Sequence, residues 1–211
     1  MGQGNSGNRL ILLSGGLDSA ATLYLSTPAL TRALFVDYGQ VSLAGEERAA
    51  RTLSATRGIG LEIARVGDLA RLGAGTLVGG APSRVADGEL EAQREEWFPG
   101  RNLILVAIGA SYAARWGGAE LAFGASSEAY RDTRRKFFAS AERAVTESLP
   151  PELKIAIELP ARSRAQMLEA ARKNGLEPRL TYSCNRRGNR HCWRCTSCGD
   201  RSKLIYGQVP G

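Results

Sequence analysis

The feature that most constrains the fold is a short apolar run, residues 9–13, which a glycine turn separates from a helical stretch at about Leu17 to Ser26. An unbroken apolar run of this length is typical of a strand buried on both faces of a parallel sheet. Glycines let the backbone turn sharply, so the N–H groups of the turn and the first helical turn point into one concavity. The sequence therefore predicts a strand–loop–helix unit with an anion-binding loop.

This predicted loop, called the glycine loop below, contains six residues: Ser14, Gly15, Gly16, Leu17, Asp18 and Ser19. Its two serine hydroxyls can donate hydrogen bonds to phosphate oxygens. Asp18 is unusual, because a carboxylate beside phosphates is repulsive unless Mg²⁺ bridges the two. We therefore interpret Asp18 as a catalytic residue on the metal side of a bound nucleotide. The alternative, a plain glycine turn with a serine cap, is disfavoured by the strand before the loop and the helix after it.

The rest of the chain alternates between strand and helix patterns, which indicates an α/β fold: a Rossmann-like parallel sheet with helices on both faces. Further strands are predicted over residues 32–36, 61–66, 120–123 and 155–159, and further helices over 44–56, 102–115, 134–148 and 163–173. The segment 67–100 is rich in glycine and proline, with a short helix over 89–96. A loop this long is typical of a lid, a binding loop or a disordered segment.

The four cysteines lie close together near the end of the chain, at Cys184, Cys192, Cys195 and Cys198. Clustered cysteines favour a metal site over a disulfide framework. Four thiolates complete the tetrahedral shell of a structural Zn²⁺ ion, so these residues are the predicted metal ligands. His191 could replace one cysteine, and an iron–sulfur cluster on the same ligands remains an alternative.

The net charge of +7 raises the question of an acidic partner. Nearly all the positive charge is arginine, which ATP binding or a GC-rich genome would explain equally well, so nucleic acid is not the expected partner. No apolar run approaches the roughly 18 residues that span a bilayer. The polar start lacks the apolar stretch of a secretory signal. We therefore expect a cytoplasmic protein without membrane contact.

The glycine loop lacks the Gly-Lys-Ser or Gly-Lys-Thr of a Walker loop and resembles the SGGxDS signature of the N-type ATP pyrophosphatases, the PP-loop superfamily. Three further segments extend the resemblance to the QueC family of 7-cyano-7-deazaguanine synthases: residues 37–40 (Asp-Tyr-Gly-Gln), residues 99–103 (Pro-Gly-Arg-Asn-Leu) and the four-cysteine knuckle. Residues 132–137 echo another family motif. The resemblance covers nearly the whole chain.

The resemblance implies an adenine nucleotide alpha hydrolase-like fold, with a PP-loop domain over residues 1–180 and a zinc-binding segment over 181–211. It implies ATP-dependent activation of the carboxylate of 7-carboxy-7-deazaguanine, attack by ammonia, and conversion of the amide to the nitrile, with Mg²⁺, structural Zn²⁺ and a homodimer. The glycine loop and Asp37 would bind ATP. The implied substrate-binding residues are Tyr38, Gln40, Asn102, Asp132 and Phe137, and the implied catalytic residues are Asp18, Arg101, Arg134 and Arg164.

The chain also departs from the family pattern. Ser163-Arg164 stands where the family has Thr-Lys, and arginine and lysine are not interchangeable at a phosphate site. The segments at 128–132 and 184–188 differ as well. These departures fit a divergent QueC-like branch of bacterial antiphage systems that joins the deazaguanine to a protein amine. A tRNA-modifying PP-loop enzyme and a non-catalytic zinc-ribbon module are further alternatives.

Overall fold

A computed structural model of the chain describes residues 8–80, 96, 98–117, 120–125, 130–153 and 155–207. Five strands are present in this part of the chain: β1 (Arg9–Leu12), β2 (Thr31–Asp37), β3 (Leu61–Arg65), β4 (Glu120–Phe123) and β5 (Ala156–Glu158). The described helices are α1 (Leu17–Tyr24), α2 (Leu43–Arg57), α3 (Arg101–Arg115), α4 (Arg135–Ser148), α5 (Arg164–Lys173) and α6 (Thr196–Tyr206).

The five strands form one sheet in the order β3-β2-β1-β4-β5, and every neighbouring pair is parallel. The central strand, β1, pairs on one side with β2 and on the other with β4, so that Leu12 lies between Leu34 and Phe123. The predicted Rossmann-like parallel sheet is therefore confirmed. Strands β2 and β3 are added on one side of β1, and β4 and β5 on the other. This reversal of strand order places a topological switch point between β1 and β4.

Helices cover both faces of the sheet because successive strand residues point to opposite sides. Ile11 and Leu13 belong to a core with α1, α2 and α5, which includes Leu23, Leu53 and Leu168. Leu10 and Leu12 belong to the opposite core, which α3 and α4 complete through Val106, Ala110 and Phe138. All four leucine and isoleucine residues from position 10 to 13 are fully or almost fully buried, which explains the apolar run in the sequence.

Most predicted elements are present, with ends shifted by one or two residues. Two regions differ. The zinc-binding segment, for which no helix was predicted, contains helix α6. The predicted loop 67–100 begins with two short 3₁₀ helices, Gly67–Leu72 and Thr76–Val78. The short helix predicted over 89–96 lies outside the described residues, apart from Glu96.

The four-cysteine segment packs against α2 rather than extending into solvent. Tyr182 is only 2% exposed and shares a small core with Ala49, Cys184 and Cys198. Its backbone N–H donates to the carbonyl of Gly15 in the glycine loop, with an N–O distance of 2.8 Å. The knuckle is thus joined directly to the first loop of the sheet. Among the described residues, no helix is long and apolar enough to cross a membrane.

Candidate active site

A cavity of about 360 Å³ opens beyond the carboxyl ends of β1, β2 and β4. Leu13 and Ser14 line it after β1, Val36 at the end of β2, and Gly124 after β4. This is the switch point of the sheet, where diverging connections leave a crevice and where open α/β sheets bind their ligands. The cavity is therefore the candidate active site.

The glycine loop forms one wall of this cavity. Gly15 has φ of +80°, and a Cβ at this position would lie 2.6 Å from the backbone oxygen of Glu46 in α2, so glycine is required there. Ser14 Oγ and Ser19 Oγ are 3.1 Å apart at the start of α1. All members of the loop except Gly15 line the cavity. The helix end adds partial positive charge, so the loop is suited to phosphate.

Asp18 and Arg164 meet inside the cavity. The guanidinium Nε of Arg164 donates to Asp18 Oδ1 at 3.0 Å, and both side chains are one-third exposed. Arg164 is the first residue of α5, whose N-cap is Ser163 in a capping box with Gln166. The cap fixes where α5 begins and so places Arg164 opposite the glycine loop. A carboxylate beside two hydroxyls also offers the hard oxygen ligands that Mg²⁺ prefers.

The turn after β2 is held by its own side chains. Asp37 accepts a hydrogen bond from the N–H of Gly39 and pairs with Arg65, at 3.1 Å in each case. The amide of Gln40 accepts from the N–H of Tyr38 at 3.0 Å and donates to Glu46 at 3.0 Å. Tyr38 and Gln40 line the cavity, whereas Asp37 does not. Asp37 and Gln40 thus shape the turn that presents Tyr38.

Arg101 and Asn102 begin α3 and line the cavity from the side of β4. Burial acts to lower the pKa of Arg101, but Tyr38, Asp132 and Glu96 outweigh it and raise that pKa. Burial also raises the pKa of Tyr38 to about 12, so its hydroxyl stays protonated and can donate. Arg101 therefore keeps its positive charge within a cavity that also contains carboxylates.

Besides Gly15 and Asp37, three further predicted site residues do not line the cavity. Arg134 is exposed at the N-cap of α4. Phe137 packs edge-on against Phe138, with ring centroids 5.1 Å apart, in the core beneath α4. Asp132 contacts a cavity residue through its backbone, because its carbonyl accepts a hydrogen bond from Asn102 Nδ2 at 3.0 Å. From this segment it is Thr133 that lines the cavity.

Several cavity residues were not predicted from the sequence, and most belong to the knuckle segment. They are Glu46, Glu96, Tyr182, Ser183, Asn185, Ser197, Asp200 and Arg201. Asn185 donates to Glu96, which joins the knuckle to the segment before α3. Glu46 accepts from Ser42 Oγ at 2.8 Å as well as from Gln40, and burial raises the pKa of its carboxyl. No local pattern marks these residues, because distant parts of the chain bring them together.

The four cysteine sulfurs all lie within 4.8 Å of one another. Tetrahedral zinc with Zn–S bonds of about 2.3 Å requires sulfurs roughly 3.8 Å apart, so the group fits zinc with small adjustments. Cys192 Sγ already accepts the N–H groups of Arg194 and Cys195, at 3.4 and 3.3 Å, as expected for a thiolate ligand. The cysteines could thus hold zinc as predicted.

His191, the alternative ligand, is engaged elsewhere. Its Nε2 accepts the N–H of Ser183 at 3.2 Å, and its ring stacks between Tyr182 and Trp193. Burial, with the charges of Arg201 and Arg48, lowers the pKa of His191 to about 4. The imidazole is therefore neutral and packed between these two aromatic rings. Four sulfurs without the histidine suffice for a closed shell.

A glycine loop and a helix N-terminus at the switch point of a parallel sheet define the class of protein: a doubly wound α/β protein with a ligand cavity suited to anions. The family model of the queuosine biosynthesis protein QueC matches residues 8–206. The chain therefore belongs to the QueC family.

Individual relatives agree with this assignment. The 7-cyano-7-deazaguanine synthase 1 of Desulfitobacterium hafniense (strain Y51) is 33% identical over 203 residues, covering 94% of this chain and 91% of its own. The 7-cyano-7-deazaguanine synthase of Methanothermobacter thermautotrophicus is 32% identical and covers 92% of each chain. Among solved structures, NMN synthetase from Francisella tularensis is similar in fold, with a TM-score of 0.53 and 15% identity over 98% of this chain and 80% of its own.

Proposed function

We propose that the protein activates the carboxylate of 7-carboxy-7-deazaguanine by adenylation with ATP and then forms the amide and the nitrile. The observation that carries this proposal is the convergence of the glycine loop with Arg101 and Arg164 on one cavity at the switch point of the sheet. Membership of the QueC family supports the choice of substrate.

The reaction needs a good leaving group, because a carboxylate is a poor electrophile. A carboxylate oxygen attacks the α-phosphorus of ATP and pyrophosphate departs. Ammonia then attacks the acyl carbon, loses a proton, and AMP departs with the former carboxylate oxygen to leave the amide. In the second round, the amide oxygen attacks the α-phosphorus of another ATP and pyrophosphate departs. Loss of the amide protons and departure of AMP with that oxygen complete the nitrile.

The residues of the cavity suit these steps. In the proposed roles, the N–H groups of the glycine loop hold the β- and γ-phosphates, and Arg164 lies opposite them. Mg²⁺ bound at Asp18 would neutralise phosphate charge that builds up during attack. Arg101 is the proposed partner of the substrate carboxylate, and Tyr38 beside it supplies a protonated hydroxyl. On this proposal residues 1–180 form the PP-loop domain, and residues 181–211 close its cavity.

The test is a turnover assay with ATP, Mg²⁺ and 7-carboxy-7-deazaguanine, with and without ammonium, followed by mass spectrometry of nucleotides and products. The expected products are AMP, pyrophosphate and the nitrile. Absence of substrate-dependent AMP formation would refute the proposal.

Formation of AMP that stops short of the nitrile in excess ammonium would contradict the proposed end product. It would instead favour the alternative with a protein amine as nucleophile. Adding a candidate partner protein then distinguishes ammonia from a protein amine as the nucleophile. The partner protein gains the mass of the deazaguanine acyl group only if its own amine attacks the adenylate.

A further inference from the structure

Arg201 is a buried cation in the wall of the cavity that the knuckle contributes. It lies in α6, three residues after Cys198, and is 4% exposed. Its Nη1 donates to Thr181 Oγ1 at 2.5 Å and to Ser183 Oγ at 3.4 Å, and its Nη2 donates to the carbonyl of Pro178 at 2.5 Å. All three acceptors are neutral oxygens. The charge of Arg201 is thus solvated by dipoles but not balanced by them.

The guanidinium has donors left over. It carries five N–H groups, and three are used. The remaining two are the Nε–H and one hydrogen of Nη2, and N–H groups of two guanidinium nitrogens can donate together to a carboxylate or phosphate. In the described part of the chain, Nε is buried without a hydrogen-bond partner. A buried N–H donor without an acceptor is costly, so the unpaired Nε–H indicates a missing acceptor.

The other two arginines that line the cavity differ in this respect. Arg164 is paired with Asp18, and Arg101 faces the carboxylates of Asp132 and Glu96. Within the residues that the structure describes, no carboxylate forms an ion pair with Arg201. Among the three arginines of the cavity, Arg201 is therefore the one that no described carboxylate pairs with.

The position of Arg201 gives a ligand access to it. It lines the cavity together with Ser183 and Ser197, whose hydroxyls can add donors. The segment that carries Ser183 is also tied to the glycine loop through the Tyr182–Gly15 backbone hydrogen bond. We propose that Arg201 is a further substrate-binding residue, which takes an oxyanion of one of the two substrates: the carboxylate of the acid or a phosphate of the nucleotide. This inference rests on the proposed function.

The competing explanation is structural. Arg201 lies close enough to Cys198 for their charges to interact, so it could serve as a counter-ion for the thiolates alone. The two explanations predict different results for Arg201→Gln. A counter-ion affects zinc retention and stability, whereas a binding residue affects the affinity of one particular ligand. Arg194→Gln is the matched control, since Arg194 is an exposed arginine of the same knuckle.

The experiment is titration calorimetry of zinc-loaded wild type, Arg201→Gln and Arg194→Gln with three ligands. These are 7-carboxy-7-deazaguanine, 7-deazaguanine without the carboxylate, and a non-hydrolysable ATP analogue. Loss of one charged, forked hydrogen bond should weaken binding about 10- to 100-fold. Weakening for the acid but not for 7-deazaguanine assigns the carboxylate, and weakening for the ATP analogue assigns a phosphate. Arg194→Gln should match wild type in both cases.

Affinities of Arg201→Gln within twofold of wild type for all three ligands would overturn the inference. If Arg201→Gln does not fold with zinc, Arg201→Lys keeps the charge and loses the fork. Weakening of one ligand by Arg201→Lys then supports the inference, and wild-type affinities overturn it. If wild type fails to bind the acid but Arg201→Gln weakens the ATP analogue, the oxyanion site stands and the proposed substrate is wrong.

Discussion

Gly45 in α2 has no side chain and so leaves room for the ring of Tyr182. Adding a single methyl group at Gly45 should therefore disturb the knuckle. A Cβ on Gly45 would lie 2.4, 2.5 and 2.6 Å from Cζ, Cε1 and Cε2 of Tyr182, where ordinary contact begins at 3.4 Å. The ring would have to retreat by about 1 Å. It is buried, its hydroxyl donates to the carbonyl of Gly188 at 3.2 Å, and it stacks on His191, so there is little space to retreat into.

The magnitude follows from two opposing effects. Alanine in place of glycine within a helix typically stabilises a protein by about 0.5–1 kcal/mol. Overpacking of a closed core costs about 1–3 kcal/mol. Gly45→Ala should therefore lower the free energy of unfolding, by up to about 2.5 kcal/mol. Gly199→Ala in α6 is the control, because its Cβ would meet nothing within 4 Å. It should be neutral or stabilising.

The assay is urea unfolding followed by circular dichroism, with zinc content measured on the same samples. Since Tyr182 also donates its backbone N–H to Gly15, Gly45→Ala should weaken ATP binding as well. A Gly45→Ala protein as stable as the Gly199→Ala control would show that the ring is free to move, and the packing argument would then fail.

Three further substitutions test other parts of the site. Asp18→Asn should reduce ATP turnover at least about 100-fold while changing stability by less than about 0.5 kcal/mol, because the lost ion pair is one-third exposed; turnover within threefold of wild type would contradict the proposed role. Cys195→Ser should abolish zinc retention after dialysis and expose the segment from residue 181 to proteolysis; unchanged metal content would show that the four sulfurs do not act together. For Glu46, burial raises the native pKa, so the stability contributed by the neutral carboxyl is complete below about pH 4.3 and is lost as pH rises through the native pKa. Glu46→Gln, which does not titrate, should therefore be less destabilised relative to wild type at pH 8 than at pH 5 in urea unfolding; a difference of the opposite sign would contradict the raised pKa.

The sheet could be predicted from the sequence because its signals are local. Residues 10–13 are apolar throughout because both faces of the central strand are covered, and the glycines at 15 and 16 follow closely. Helix α6 was not predicted because its sequence lacks a clear apolar stripe. Cys195 and Cys198 at its start have the spacing of metal ligands, and Gly199 disfavours a helix. Tertiary packing holds α6 instead: Cys198 lies in the small core of the knuckle, and Leu204 and Ile205 pack against the core beneath α1, α2 and α5.

The candidate site was predicted without the wall that the knuckle segment contributes. The glycine loop and the turn at 37–40 carry recognisable motifs, but the wall formed by Asn185, Asp200 and Arg201 exists only once the chain end folds back. The roles of Asp37 and Gln40 also depend on distant partners, Arg65 and Glu46, that make them scaffold for the turn. Motifs identify which loops meet a ligand, whereas packing decides which side chains do.

The backbone hydrogen bond between Tyr182 and Gly15 has a consequence for how the protein matures on the ribosome. It closes a contact between residues near opposite ends of the chain, and such contacts form late and slowly. A nascent chain can assemble β1, β2 and β3 early, with the glycine loop in place but one wall of the cavity absent. We expect ligand affinity to arise only when residues 181–206 have emerged and complete the wall of the cavity.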